Sequence, residues 1–323
     1  MKRIFCLLFV LLLVFPLAAC SSAPADGEDA PVRVWVLTGP TGIGAASLWA
    51  KSEAGEAAYR FSASAAPDEI VAKLSAGEAD IAAISTNLAA KLYQKTGGGI
   101  KVLAVNTLGV LSVLQNAGAQ VTSLSDLAGR KIVSTGQGAN PQYILEYLLR
   151  RGGLEPGRDV QVEYKVEPGE LAGVWANDPE AVLVAPSPVS ATILSKFPDS
   201  VKTLDLTEEW EKASPDSAPM MGCLVVRTAF WEAHPEKVTA FLSDYRASVE
   251  AAISDPASVG EACEKYGIVP SAALAAKAIP DCHLCLLSGT EMKEKLASYL
   301  GILHAADPAS IGEVPDDGFY LVG

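Results

Sequence analysis

The chain has 323 residues, 50% of them hydrophobic and 20% charged, with 25 Lys and Arg against 38 Asp and Glu for a formal charge of -13. This apolar content is enough for one or two full cores and excludes disorder as the main state, and the length suits about two domains. The acidic balance, with no basic run to override it, excludes nucleic acid as a partner.

In chain order, Lys2 and Arg3 precede the apolar stretch Ile4–Leu17, which is too short to span a bilayer and has the order of an export signal. Leu17-Ala18-Ala19-Cys20 resembles the bacterial lipobox, which implies cleavage before a lipidated Cys20 and a mature chain outside the cytoplasm. Cleavage removes Lys2 and Arg3 and takes the formal charge from -13 to about -15. Residues 1–19 are thus expected as signal, and 20–31, small, polar and proline-bearing, as a flexible tether. The remaining Cys223, Cys263, Cys282 and Cys285 allow three complete pairings, and spacing does not choose among them. A bridge between Cys263 and Cys282 is one option in an oxidising exterior. Cys282-His283-Leu284-Cys285 is a weak redox or zinc signal, because no second CxxC accompanies it.

The body opens as strand Val32–Leu37, a glycine-rich turn Thr38–Gly44 and a helix over Ala45–Ala57. A helix over Asp68–Leu74, a strand over Ala79–Ile84, a helix over Asn87–Gln94 and a strand over Lys101–Val105 follow. The alternation restarts with strand Arg130–Ser134, a turn from Gly136 to Pro141 and helix Gln142–Arg151. Strands Val160–Tyr164 and Ala181–Ala185 come next. From Pro235 the chain reads as almost wholly helical. Alternating β and α units predict mostly parallel sheets.

Several motifs occur together in order: the Thr38-Gly39-Pro40 turn, Leu74-x-x-Gly77-Glu78-x-Asp80-Ile81-Ala82, Leu124-x-Asp126-Leu127-x-Gly129-Arg130-Lys131-Ile132 and His234-Pro235-Glu236-x-Val238-x-x-Phe241-Leu242. With the lipobox, they resemble the substrate-binding lipoproteins of ABC importers, within the nitrate/sulfonate/taurine/thiamine-precursor (NMT1-like) group. The resemblance runs from Val32 to about Leu303. It implies a type II periplasmic-binding-protein fold: two α/β lobes with a ligand cleft between them and a C-terminal helical segment. Lobe 1 is expected over 32–107 and completed by 223–323, lobe 2 over 108–222, with crossings near Asn106–Val113 and Met221–Arg227. It further implies a small-molecule ligand, captured by lobe closure and handed to an ABC permease with its ATPase, and a membrane contact made by lipid alone.

Ligands of open parallel sheets bind outside the carboxyl ends of the strands. The polar and glycine-bearing residues that fall there are Thr38, Gly39, Pro40, Thr41, Ser64, Ser85, Thr86, Asn87, Asn106, Gln137, Gly138, Asn140 and Ser187, and these are the expected ligand contacts. Helix starts behind them suit an oxyanion. These loops carry no Lys or Arg, which favours a monoanionic or neutral ligand, such as a sulfonate or an aromatic or heterocyclic nutrient. On this reading Asn140→Ala and Thr41→Ala weaken binding with little loss of fold. No catalytic residue, cofactor or metal is expected. An extracytoplasmic ligand sensor is an alternative function. An enzyme of thiamine-pyrimidine or menaquinone synthesis type on the same fold is a weaker one, because His234, His283 and His304 lie away from strand-end loops.

Overall fold

The computed structural model describes residues 30–119 and 121–322; the expected signal, Cys20 and nearly all of the tether lie outside them. The chain begins with β1 (Val32–Leu37), β2 (Tyr59–Ser64), β3 (Ile81–Ser85) and β4 (Ile100–Thr107), then crosses through 108–110. It continues with β5 (Leu111–Asn116), β6 (Lys131–Thr135), β7 (Gln161–Lys165), β8 (Val182–Pro186) and β9 (Ser200–Asp205). It returns through helix Leu206–Ala213 and residues 214–221 to β10 (Gly222–Arg227), and after four further helices adds β11 (Leu284–Ser288). Met221–Arg227, expected as a crossing, is therefore mainly a sheet strand, and the return passage precedes it.

The first sheet has the order β11-β4-β10-β3-β1-β2 and the second β7-β6-β8-β5-β9. β1 is parallel to β2 and β3, and β6 is parallel to β7 and β8, whereas β10 and β5, the strands that follow each passage, run antiparallel to their neighbours. Two mixed sheets flanked by helices are the α/β architecture of the type II periplasmic-binding-protein class.

Local chemistry accounts for these elements. In β1 the alternation buries Val32, Val34 and Val36 on one face, each worth roughly 1.5–3 kcal/mol on burial. β3, an inner strand covered on both faces, is instead continuously apolar from Ile81 to Ile84. Its entry is pinned by Asp80, which is 2% exposed and accepts hydrogen bonds from the Arg33 backbone at 2.9 Å, the Arg33 guanidinium at 2.5 and 2.9 Å, and Arg227 at 2.8 Å. Burial works to raise the Asp80 carboxyl, but these donors outweigh it and hold the group below the ordinary aspartate range.

One apolar cluster runs across both sheets. It joins Val105 of β4 and Val110 of the first passage to Leu145 and Leu148 of the second lobe, and to Leu296, Tyr299 and Leu303 of the long helix Gly289–Ala306. A second cluster sits between the first sheet and the C-terminal helices. Among the described residues no helix is long and apolar enough to cross a membrane.

Candidate functional site

The carboxyl ends of β1, β7 and β8 open onto a cavity of about 790 Å³. One wall comes from Thr38–Pro40 and from Ile268 to Lys277 beside the first sheet. The other comes from Pro168 to Ala172 and Pro186 to Lys196 beside the second. The volume lies within the ~300–1,000 Å³ usual for small-molecule sites. Pro40, Ala172, Val189, Ile268 and Leu274 make its surface mainly apolar, while Thr38, Ser187, Thr192 and Ser271 supply hydroxyls.

Gly39 has a reason to be glycine. Its φ is +81°, a left-handed conformation, and its N–H donates to the Ile268 carbonyl at 2.9 Å, which ties the β1 turn to the C-terminal helices. On the opposite wall, Ser187 is 1% exposed; its N–H donates to the Val110 carbonyl at 2.9 Å and its hydroxyl to the Ala278 carbonyl at 3.3 Å. Lys277 Nζ donates to Ser195 Oγ at 2.7 Å, a second link between the two walls.

Of the expected contacts, Thr38, Gly39, Pro40 and Ser187 line this cavity; the other nine do not. Thr86, Asn87, Gly138 and Asn140 instead meet one another where the ends of β3 and β6 abut. Asn140 Nδ2 donates to Thr86 Oγ1 at 3.0 Å and to the Met221 carbonyl at 2.9 Å, and Asn140 Oδ1 accepts from the Tyr299 hydroxyl at 3.2 Å. Asn87 Nδ2 donates to the Gly138 carbonyl at 3.2 Å and the Ser310 carbonyl at 3.4 Å. Thr86, Asn87 and Asn140 are 0–2% exposed, so this is a closed polar seam between the lobes. The expectation that Asn140→Ala would spare the fold is reversed by that placement.

The others have structural partners as well. Asn106, 1% exposed, donates to the Thr41 carbonyl and the Tyr245 hydroxyl, both at 2.9 Å, so Thr41 is engaged through its backbone. Ser64 Oγ donates to Glu69 Oε2 at 2.6 Å and accepts from the Ala66 N–H at 3.0 Å, shaping the turn after β2. Ser85 precedes helix Thr86–Lys95 without a side-chain cap bond, and Gln137 is exposed on the turn after β6.

Every lining residue other than Thr38, Gly39, Pro40 and Ser187 was missed by sequence reasoning, and the two that carry charge are Lys196 and Lys277. They lie on helices Val189–Lys196 and Ala272–Ala278, not on strand-end loops, so the loops looked neutral while the cavity is not. No pattern in the sequence marks these lysines apart from ordinary exposed helix residues.

The expected bridge option between Cys263 and Cys282 is not realised: Cys223, Cys263, Cys282 and Cys285 are all free thiols. Cys263 and Cys282 sit inside the apolar cluster under the first sheet and behave as small hydrophobes. Burial pushes each thiol up to about 12, which keeps it protonated at neutral pH. His283, between Cys282 and Cys285, directs its Nδ1 to the Gly109 carbonyl, and its own carbonyl accepts from the Leu108 N–H at 3.2 Å. The CxxC segment is thus packed on the first passage between the sheets.

Residues 56–278 match the family described as menaquinone biosynthesis. Among curated proteins none matches. Solved structures are similar over nearly the whole chain. An ABC transporter protein of Parabacteroides distasonis is 24% identical, with a TM-score of 0.75 over 91% of this chain and 99% of its own. The periplasmic aliphatic sulphonate binding protein of Escherichia coli is 14% identical, with 0.71 over 89% and 95%. The alkanesulfonate-binding protein of Xanthomonas axonopodis pv. citri, solved with MOPS, is 12% identical, with 0.66 over 90% and 96%. At these identities the likeness is one of fold.

Proposed function

The chain belongs to the menaquinone-biosynthesis family, and from that premise and the cavity between its sheets we propose that it is a solute-binding protein, not an enzyme. The observation that carries this reading is the cavity lining: hydroxyls, apolar side chains and two lysines, with no carboxylate, histidine or cysteine among the described residues to act as nucleophile or as a paired acid and base. Such a lining can hold and orient a compound without transforming it. The fold neighbours named above, which include two sulfonate-binding proteins and an ABC transporter protein, support the same reading.

In this account the mature chain is extracytoplasmic and lipid-anchored through Cys20. Lobe 1 comprises 32–107 with 223–323, and lobe 2 comprises 108–222. The lobes close on a small organic ligand, moving about the passages at 108–110 and 206–221, and the closed form delivers it to an ABC permease and its ATPase. Thermal-shift screening of the chain from Pro31 onward against small organic solutes tests the binding claim. A ligand at ~100 times its dissociation constant should add about 2.7 kcal/mol of stability. Hits confined to metal ions or peptides, or turnover of a bound compound, would overturn it. For the anchor, Cys20→Ala should abolish acyl labelling, and persistent labelling would contradict it.

A further inference from the structure

We propose that Lys196 and Lys277 anchor the negative charge of the ligand, and that the ligand is an organic acid with an apolar body. This rests on the cavity being the solute site, as proposed above.

The seam supplies the first step. The side chains at the helix starts Thr86 and Asn140, which the sequence offered as ligand contacts, are buried and bonded to each other and to the Met221 carbonyl across the lobes. The turn after β1 leads into a helix of only four residues, Pro40–Ile43, too short to carry much dipole. Helices Glu170–Asn177, Val189–Lys196 and Ala272–Ala278 begin at the cavity and offer it partial positive charge, and full charges come from its two lysines, the only ionisable groups among the described residues that line it.

Both lysines are exposed at the rim of the cavity and available to a ligand there. Lys277 spends one donor on Ser195 Oγ and keeps two, because an ammonium group has three. The Lys196 side chain, next to Ser195, makes no hydrogen bond or ion pair with any described residue. Among the described residues no acidic side chain lines the cavity to neutralise them, although the chain as a whole carries a charge of -13. Two uncompensated cations at a cleft with low-dielectric walls focus potential there and draw in an anion that the rest of the surface repels. The apolar side chains of Ala172, Val189, Ile268 and Leu274 then cover the remainder of the molecule. Ammonium groups are point charges without the planar fork of guanidinium, so they accept carboxylates and sulfonates alike and specificity falls to the apolar body.

The test uses matched probes on the full chain in detergent. Phenylacetate and phenylacetamide are titrated by calorimetry against the wild type, Lys277→Met, Lys196→Met and the double variant. Phenylacetate should bind at least tenfold more tightly than phenylacetamide, with a preference that falls as salt rises. Each single variant should reduce that preference, and the double variant should abolish it. Equal binding of the two probes by the wild type, or a preference that survives in the double variant, overturns the charge assignment and leaves the cleft as a solute site. If neither probe binds, the assignment also falls, and the solute screen described above decides separately on the cleft.

Discussion

Two stretches of the same interlobe groove have opposite fates. Around Thr38 and Ser187 the strand ends stand apart and enclose about 790 Å³. Around Thr86, Asn87, Gly138 and Asn140 strand ends of much the same composition close onto each other. The difference lies behind them. The seam is backed by the apolar cluster that continues from one sheet to the other through Leu145, Tyr299 and Leu303. The cavity is flanked by helices Val189–Lys196 and Ala272–Ala278, which touch through Lys277 and Ser195 at its rim. A polar side chain at a strand end thus faces the cavity only where the apolar cluster does not close the lobes behind it.

Four substitutions probe that contrast, beginning with the most severe. Asp80→Asn loosens the entry of β3, the strand that leads into the seam, by leaving Arg33 and Arg227 without their carboxylate. Denaturant unfolding should show a loss of about 3 kcal/mol, near the lower end for breaking a buried ion pair. The same group sets an acid dependence. Its carboxyl is held below its unfolded value, so its contribution is complete above about pH 4, the ordinary aspartate range, and is lost as pH falls through the folded value. A wild type whose stability between pH 5 and pH 2 falls no more than that of Asp80→Asn would contradict this role.

Asn140→Ala strikes the seam itself. It takes one partner from Thr86 Oγ1, which keeps the Met220 carbonyl, and one from the Met221 carbonyl, which keeps the Thr86 N–H, and it strands the Tyr299 hydroxyl away from water, so unfolding should cost about 2 kcal/mol less than in the wild type. Ala172→Trp acts on the other region: it fills the cavity from the second lobe and should weaken ligand binding at least tenfold, with little change in melting temperature. The least effect belongs to Gln137→Ala. Gln137 is exposed and lines no part of the cavity, so both stability and affinity should stay within about 0.5 kcal/mol of the wild type. If Asn140→Ala instead lost affinity without losing stability, the division of the groove into seam and cavity would fail.

The regular parts of the molecule were readable before the structure. Val32–Leu37 alternates, Ile144, Leu145, Leu148 and Leu149 share a helix face, and glycine or proline marks many of the turns, so local chemistry suffices there. β2 and β9 were not readable. Tyr-Arg-Phe-Ser-Ala-Ser and Ser-Val-Lys-Thr-Leu-Asp are half-polar edge strands whose pairing with β1 and β5 is decided over long range. The site was half readable for a related reason. Position at a strand end can be seen in a sequence, and it found Thr38, Gly39, Pro40 and Ser187. Which strand ends meet across the groove cannot, and neither can the approach of Lys277 to Ser195, which stand 82 residues apart.

The central claim is that this chain holds a small organic ligand in the cavity between the β1 and β8 turns. Calorimetric titration of the wild type and Ala172→Trp with one organic hit from the solute screen tests it most directly. The account predicts saturable one-to-one binding to the wild type and at least tenfold weaker binding to Ala172→Trp at unchanged fold. Equal affinity in the two proteins would place the ligand elsewhere and contradict the account.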